Sequence, residues 1–543
     1  MSFRIKHIIF ILLLNILGLQ SFSQNTFESI NIKEDFDYYN WDWPRKYSLY
    51  TIDPNKDWNT FGDGLSKVLD GFIDLFIATK DKAYLYKFIL QSLCIIENRN
   101  DINPYAEART PKWTETDQST YADGYITASF AKFIFLVRVI DSSLINTPLY
   151  QFEELDPEKY TENTKYCNFS GIKFNSFGEY ADWLEKRTRE TIDFFVYGGL
   201  WDYNRGILQP PGEELVINMQ TGFARTLLFL GLSTDNPEYL LMADTLAYLH
   251  QSTVRFYDRC EKIRYENPVF ILNPKNDSYW WYHNGWRLAY TSCRKFSIRR
   301  SPSYVGYTKY IEDVSHGKIV MMFPYEYLKF RQNQNYFSST DMRRFRNTFV
   351  YNLYDYGNYK IAVDGSVGTT YAEEKYNAER LEIIKKTNAI AFANFAEFDY
   401  PDDTLKVLDI TMKEYKEQLN NLNLTPRWYG GQKSLDHAQM VLYQWTYYNP
   451  SLTLYSRNLV YDQDFFSKAS LTIEPRFVRG TKSYPVFAEP FIFTDSLPTD
   501  RFLIDSGVKV NITAKESIRI KPGFYAKKGS ICRIKIISDK DKE

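Results

Sequence analysis

The chain is short of several things at once. Its 543 residues include only five cysteines and five histidines, and its charges nearly cancel, with 66 Lys and Arg against 67 Asp and Glu for a formal net charge of -1. A surface so balanced has no long-range field for gathering nucleic acid or an anionic membrane, so neither is expected as a partner and any anionic substrate must be met locally. The cysteines, Cys94, Cys167, Cys260, Cys293 and Cys532, are odd in number and show no CxxC spacing, which speaks against a disulfide framework and against a structural zinc site. One bridge is left open, with Cys260 and Cys293 as the candidate pair. No Gly-x-Ser-x-Gly elbow, His-x-x-x-His or His-x-Glu spacing occurs, and Gly198-Gly199 lacks the flanking strand and helix of a phosphate loop. No cofactor is therefore implied, although calcium held by scattered carboxylates is left open.

What the chain has is apolar and aromatic substance. Hydrophobic residues make up 44%, enough for a packed core in a chain too long for one ordinary domain. Aromatics make up 17%, with 44 Tyr and 11 Trp. Flat rings cover the C–H faces of pyranoses, so this content suits a glycan site, although an AT-rich coding bias would produce the same composition. Arg4, Lys6 and His7 precede an apolar run from Ile8 to Leu19, and Ser21-Phe22-Ser23 offers small residues for cleavage before Gln24. This is the pattern of an export signal, and it predicts a secreted, periplasmic or cell-surface protein without a membrane span. The oligomeric state is not readable.

Four segments follow: a signal peptide at 1–23, a lead-in at 24–60 around Tyr39-Asn40-Trp41-Asp42-Trp43, a helical domain at 61–455 and a β-rich part at 456–543. The helical domain reads as hairpins. Leu65, Leu69, Phe72, Ile73 and Phe76 fall on one helical face, and after the turn at Thr79 to Lys82 so do Leu85, Phe88, Ile89, Leu93 and Ile96. The design returns at 123–137 with 183–195, at 220–232 with 240–256, at 315–328 with 342–354 and at 385–398 with 403–420, before a last helix from Asp436. Alternate helices open on Asp63-Gly64, Asp123-Gly124, Gln220-Thr221-Gly222, His316-Gly317 and Asp436-His437-Ala438. If those helices point the same way, their amino ends converge on one mouth that favours anions. Ordinary capping is the plainer reading of each.

The densest chemistry runs from 279 to 317. Here Tyr279-Trp280-Trp281-Tyr282 leads into His283, Asn284, Trp286 and Arg287, then Tyr304, Tyr307, Glu312, Asp313 and His316. His or Tyr as base and acid, with Asn and Arg offsetting a carboxylate, is the inventory for removing the C5 proton of a uronate and expelling the oxygen on C4. Glu312, Asp313, Asp123 and Asp436 supply the rival inventory of a two-carboxylate hydrolase. Glu312 and Asp313 also make sense as acids at a helix start, and His316 as a cap. His437 and Trp428, beside Gly430-Gly431, form a second candidate sugar contact, with a structural role for His437 as the alternative. Aromatic subsites are expected at Trp280, Trp281, Trp286 and Trp428.

Hairpin order, the export signal and the phrase Tyr310-Ile-Glu-Asp-Val-Ser-His-Gly317 resemble the (α/α) toroid superfamily of uronate polysaccharide lyases, six-hairpin glycoside hydrolases and glucuronyl epimerases, over about 60–450. The phrase Ser517-Ile-Arg-Ile-Lys-Pro-Gly-Phe-Tyr-Ala-Lys-Lys-Gly-Ser530 resembles small β modules that end secreted Bacteroidetes surface proteins. The expected fold is thus mainly α, an (α/α) toroid of helical hairpins followed by a small C-terminal β domain. What the resemblance implies is a lyase on an acidic polysaccharide, with His283 or His316 working beside Tyr304 or Tyr307. A hydrolase or uronate epimerase, and a non-catalytic glycan-binding surface protein, are the alternatives.

Overall fold

The described parts of the expected hairpins are helical, although the stretch expected at 385–398 is a 3-10 helix over Ala389–Phe398 and residues 252–256 lie outside the described residues. In a computed structural model, described residues fall mainly within 60–103, 109–114, 120–149, 174–203, 206–208, 217–251, 269–283, 310–331, 336–354, 359–366, 389–420, 435–436 and 438–442, together with strands between 452 and 536. The helices are α1 (Ser66–Thr79, entered through a wide turn at Thr60–Leu65), α2 (Ala83–Glu97), α3 (Tyr121–Phe135), α4 (Phe177–Phe195), α5 (Ile217–Thr234), α6 (Pro237–Gln251), α7 (Val314–Phe330), α8 (Ser339–Asn347) and α9 (Val407–Asn420), with a 3-10 stretch at Ala389–Phe398 before the last. None of them is long and apolar enough to cross a membrane, among the described residues. The chain divides into two compact units, one of 42–73 with 85–436 and one of 1–41 with 74–84 and 437–543.

Within the first unit the alternate helices run parallel, as matched contacts along their lengths show. A Cβ on Gly62 would strike Ala122, and four residues further along Ser129 Oγ donates to the Ser66 carbonyl at 2.6 Å. Gly124 and Gly222 press backbone to backbone, Thr127 and Thr226 share a hydroxyl contact at 3.0 Å, and at the far end Phe135, Phe229 and Phe330 of α3, α5 and α7 meet as a cluster. Glycine is required at 124 and 222 because helices approach this closely only where one of them lacks a Cβ. The intervening helices run the other way: Asp244 of α6 meets Tyr327 and Arg331 near the end of α7, while His250 further along α6 packs on Phe323.

Charge is built into this core. Arg225 of α5 lies between Asp70 of α1 (2.8 Å) and Glu326 of α7 (2.8 Å), all three buried. Lys132 stands 3.8 Å from Glu326. Such a group is costly to bury and more costly to break, because a lost partner leaves an uncompensated charge in a dry interior.

In the second unit the strands form a different order from any hairpin. β5 (Leu452–Leu454), β8 (Ser470–Ile473) and β11 (Ser517–Ile520) make one parallel sheet; β6 (Arg457–Leu459), β9 (Phe502–Ile504) and β12 (Phe524–Ala526) make a second; and β7 (Gln463–Ser467), β10 (Lys509–Ala514) and β13 (Ile531–Ile536) make a third. Each strand pairs with the one three places on, so the chain winds three times around three parallel faces, a short β-helix. Lys528-Gly529 turns the chain between β12 and β13, with Gly529 at φ +92°, whereas Pro522-Gly523 lies outside the described residues. The strand around Leu471 is the middle of its sheet. Ile512 pairs with Phe465 on one side and Ile534 on the other, and Val510, Ile512 and Ala514 are buried between their neighbours.

Candidate functional site

Two short antiparallel pairs precede α7: β1 (Trp201–Asp202) with β2 (Ile207–Leu208), and β3 (Ile271–Asn273) with β4 (Ser278–Trp280), the second of which carries the chain to His283. From there three distant segments are stitched together. His283 N–H donates to the Tyr310 carbonyl at 3.1 Å, Glu312 N–H to Trp281 at 3.0 Å, Val314 N–H to Ile361 at 2.8 Å and Val363 N–H to Glu312 at 3.0 Å. The strip 310–313 is thereby held between 281–283 and 361–363, and it runs straight into α7. Gly317 in the first turns of α7 is needed for the fit, since a Cβ there would lie 3.1 Å from both Trp281 Cζ2 and Val363 Cγ1.

The strip presents two acids to two histidines. Glu312 Oε1 meets His283 Nδ1 at 2.8 Å, and Asp313 Oδ2 meets His316 Nδ1 at 2.8 Å. Asp313 is also the N-cap of α7, its Oδ1 accepting from the backbone N–H of Ser315 (2.9 Å) and of His316 (3.2 Å). The imidazoles stand next to each other, with ring centres 5.1 Å apart at 76°. Burial opposes ionisation of Asp313, but the neighbouring His316 and Ser315 and the more distant His283 outweigh it and hold the carboxyl well below the usual carboxylate range. Glu312 is fully buried, and its Oε2 has no hydrogen-bond partner among the described residues. The His316 side chain is 31% exposed and that of His283 8%, so His316 is the member that faces outward.

Beside this pair, Lys318 of α7 meets Asp436 at 2.9 Å, both buried. Burial drives the Lys318 amine below its ordinary value, Asp436 resists the change and Lys67 adds to it. Lys67, Asp70, Tyr125 and Arg225 line a small cavity with Thr221 and Ile319, next along the row of helix amino ends. Sequence reading passed over Lys67, Lys318 and Arg225. The signal was there in Lys318 and Arg225, each a lone cation within an apolar helical run.

Several expected roles change. Trp281 is fully buried, edge-on to Phe270 and Phe345, and anchors the strip instead of offering a stacking face. Trp280 is half-buried and packs against Tyr282. Asp123 is fully buried, its oxygens accepting from the Trp113 N–H at 2.7 Å and from the Thr114 hydroxyl, so it ties a loop to α3. The four carboxylates that hydrolysis would draw on are therefore all buried and committed: Asp123 to that loop, Glu312 to His283, Asp313 to His316 and Asp436 to Lys318. Asn284, Trp286, Arg287, Tyr304, Tyr307, Trp428 and His437 lie outside the described residues, as do Cys260 and Cys293. Cys94 is in a disulfide, a bridge the scattered cysteine spacing did not predict. His283, Glu312 and His316 come close enough together for one ion, which the sequence spacing hid. The chain matches no family model, no curated protein and no solved structure.

Proposed function

We propose that the chain is a secreted polysaccharide-degrading enzyme, a lyase that cleaves an acidic, uronate-containing polymer by β-elimination, with its helical hairpins arranged as an (α/α) toroid. The observation that carries this reading is the pair of adjacent histidines, each with a carboxylate on Nδ1. A carboxylate at that nitrogen favours the tautomer with the proton on Nδ1 and leaves the Nε2 lone pair as proton acceptor. His316, the more exposed of the two, is the base. It takes the C5 proton, the C–H electron pair becomes the C4–C5 double bond, and the C4–O bond breaks with its pair remaining on oxygen, which is protonated by Tyr304 or Tyr307. The commitment of all four candidate carboxylates favours this over hydrolysis. The parallel helices with adjoining amino ends support the toroid, and the Cys94 disulfide suits an oxidising compartment.

The test is ultraviolet absorbance of the unsaturated uronate during incubation with alginate, glycosaminoglycan, pectin and ulvan-type polymers. Absorbance rises on one of them, and His316→Gln lowers the rate about 10²–10⁴-fold. Reducing ends without absorbance mean hydrolysis, and binding without either product means a glycan-binding protein; each outcome overturns the lyase.

A further inference from the structure

We infer that His283, Glu312 and His316 form a binding site for one divalent transition-metal ion, and that an ion there switches the proposed elimination off. The switching clause rests on the lyase reading; the site does not. One donor atom from each of the three residues lies within 4.8 Å of the others, and two of the three residues are buried. Ligands of a tetrahedral ion with bonds of about 2.0 Å stand about 3.3 Å apart. His283 Nδ1 and Glu312 Oε1 stand 2.8 Å apart, inside that separation, so an ion there displaces the Nδ1 proton and spreads the two slightly, and a small movement of the outward-facing His316 ring closes the rest.

Two further features point to an ion. Glu312 Oε2 is a buried carboxylate oxygen without a hydrogen-bond partner among the described residues, an arrangement that costs free energy unless something cationic meets it. Asp313 holds Nδ1 of His316, which is the outer carboxylate that orients a ligating imidazole and presents its Nε2 to a metal. Two imidazoles and one carboxylate suit Zn²⁺ and its first-row neighbours better than calcium, which prefers six or more oxygens. Three protein ligands also leave a position open. An ion at His316 Nε2 occupies the lone pair that would accept the C5 proton, so ion and proton transfer exclude each other.

The experiment titrates Zn²⁺ into the full-length, EDTA-treated chain by isothermal titration calorimetry and records the visible spectrum of the Co²⁺ form. The site predicts one equivalent bound, weakening of about 100-fold or more in Glu312→Gln and His316→Gln, and about 10–100-fold in Asp313→Asn. His316→Gln alters the most exposed member and spares the packing, and a melting curve matching wild type certifies its fold. No stoichiometric binding, or unchanged binding and an unchanged Co²⁺ spectrum in that folded variant, overturns the site. The elimination assay is read separately with and without Zn²⁺. Elimination in EDTA by a chain that binds no Zn²⁺ overturns the metal site alone. Stoichiometric Zn²⁺ binding with no elimination on any polymer overturns the lyase alone, and elimination undiminished by saturating Zn²⁺ overturns the switch.

Discussion

Replacing Asp123 with Asn should stabilise the protein at neutral pH and do nothing for it in acid. Burial pushes the Asp123 carboxyl up from 3.8 to about 6, against the opposing pull of the Thr114 and Trp113 hydrogen bonds and the Lys112 charge. Because its folded pKa lies above the unfolded one, the folded state binds the extra proton. The stabilising contribution is fully present below the unfolded value and is lost as pH rises through about 6. Above that pH the ionised side chain costs about 3 kcal/mol relative to its neutral form, at 1.36 kcal/mol per tenfold step in the ionisation constant. Asparagine is neutral at every pH and keeps both partners: Oδ1 accepts from Trp113 N–H, and Nδ2 donates to Thr114 Oγ1. Chemical denaturation should show Asp123→Asn more stable by about 1–3 kcal/mol near pH 8 and level with wild type near pH 4. A variant equally affected at both pH values would refute the argument. So would abolished turnover in a well-folded variant, since that would mean Asp123 does chemistry.

Three further substitutions probe the rest of the framework. Gly317→Ala places a Cβ 3.1 Å from Trp281 and Val363, so unfolding measurements should show a loss of about 1–3 kcal/mol, and unaltered stability would show that the strip can yield. Arg225→Met strands Asp70 in the core, leaves Glu326 with Lys132 alone and should cost about 3–5 kcal/mol, whereas replacing Arg225, Asp70 and Glu326 with apolar residues of similar volume should recover most of it; calorimetry of both variants decides. Asp313→Asn still caps α7, since Asn and Asp serve almost equally there, but it no longer fixes the His316 tautomer. Its melting temperature should fall at neutral pH, because a carboxyl held below its usual range stabilises the fold when ionised, while kcat of the folded variant falls on the order of 10²–10⁴-fold; an unchanged kcat would make Asp313 only a cap.

The helices were legible because their apolar residues recur every three or four positions: Leu65, Leu69, Phe72 and Ile73 are all buried, and so is nearly every position read the same way in α3 and α5. The parallel order of the β strands was not, because Leu471 pairs with Ile518 across 47 residues and periodicity says nothing of partners so far away. Similarly, nothing local joins His283 to Glu312, 29 residues on. Trp281 was misread for a reason that sequence could have corrected. Four aromatics in a row look like a platform, but in extended chain alternate residues face opposite sides. Tyr279 and Trp281 accordingly point into the core while Trp280 and Tyr282 are only half-buried.

The strip from 310 to 313 gives the molecule a built-in order of events during its own synthesis. Its neighbours are residues 281–283, which precede it, and residues 361–363, which follow about fifty positions later. Until the later segment has been made and has closed against Glu312 and Val314, the strip is fastened along one edge only, by residues 281–283. Contacts between such distant segments form late because the loops between them must be closed first. A chain halted before 363 would hold every one of these side chains on a strip whose second edge is still open.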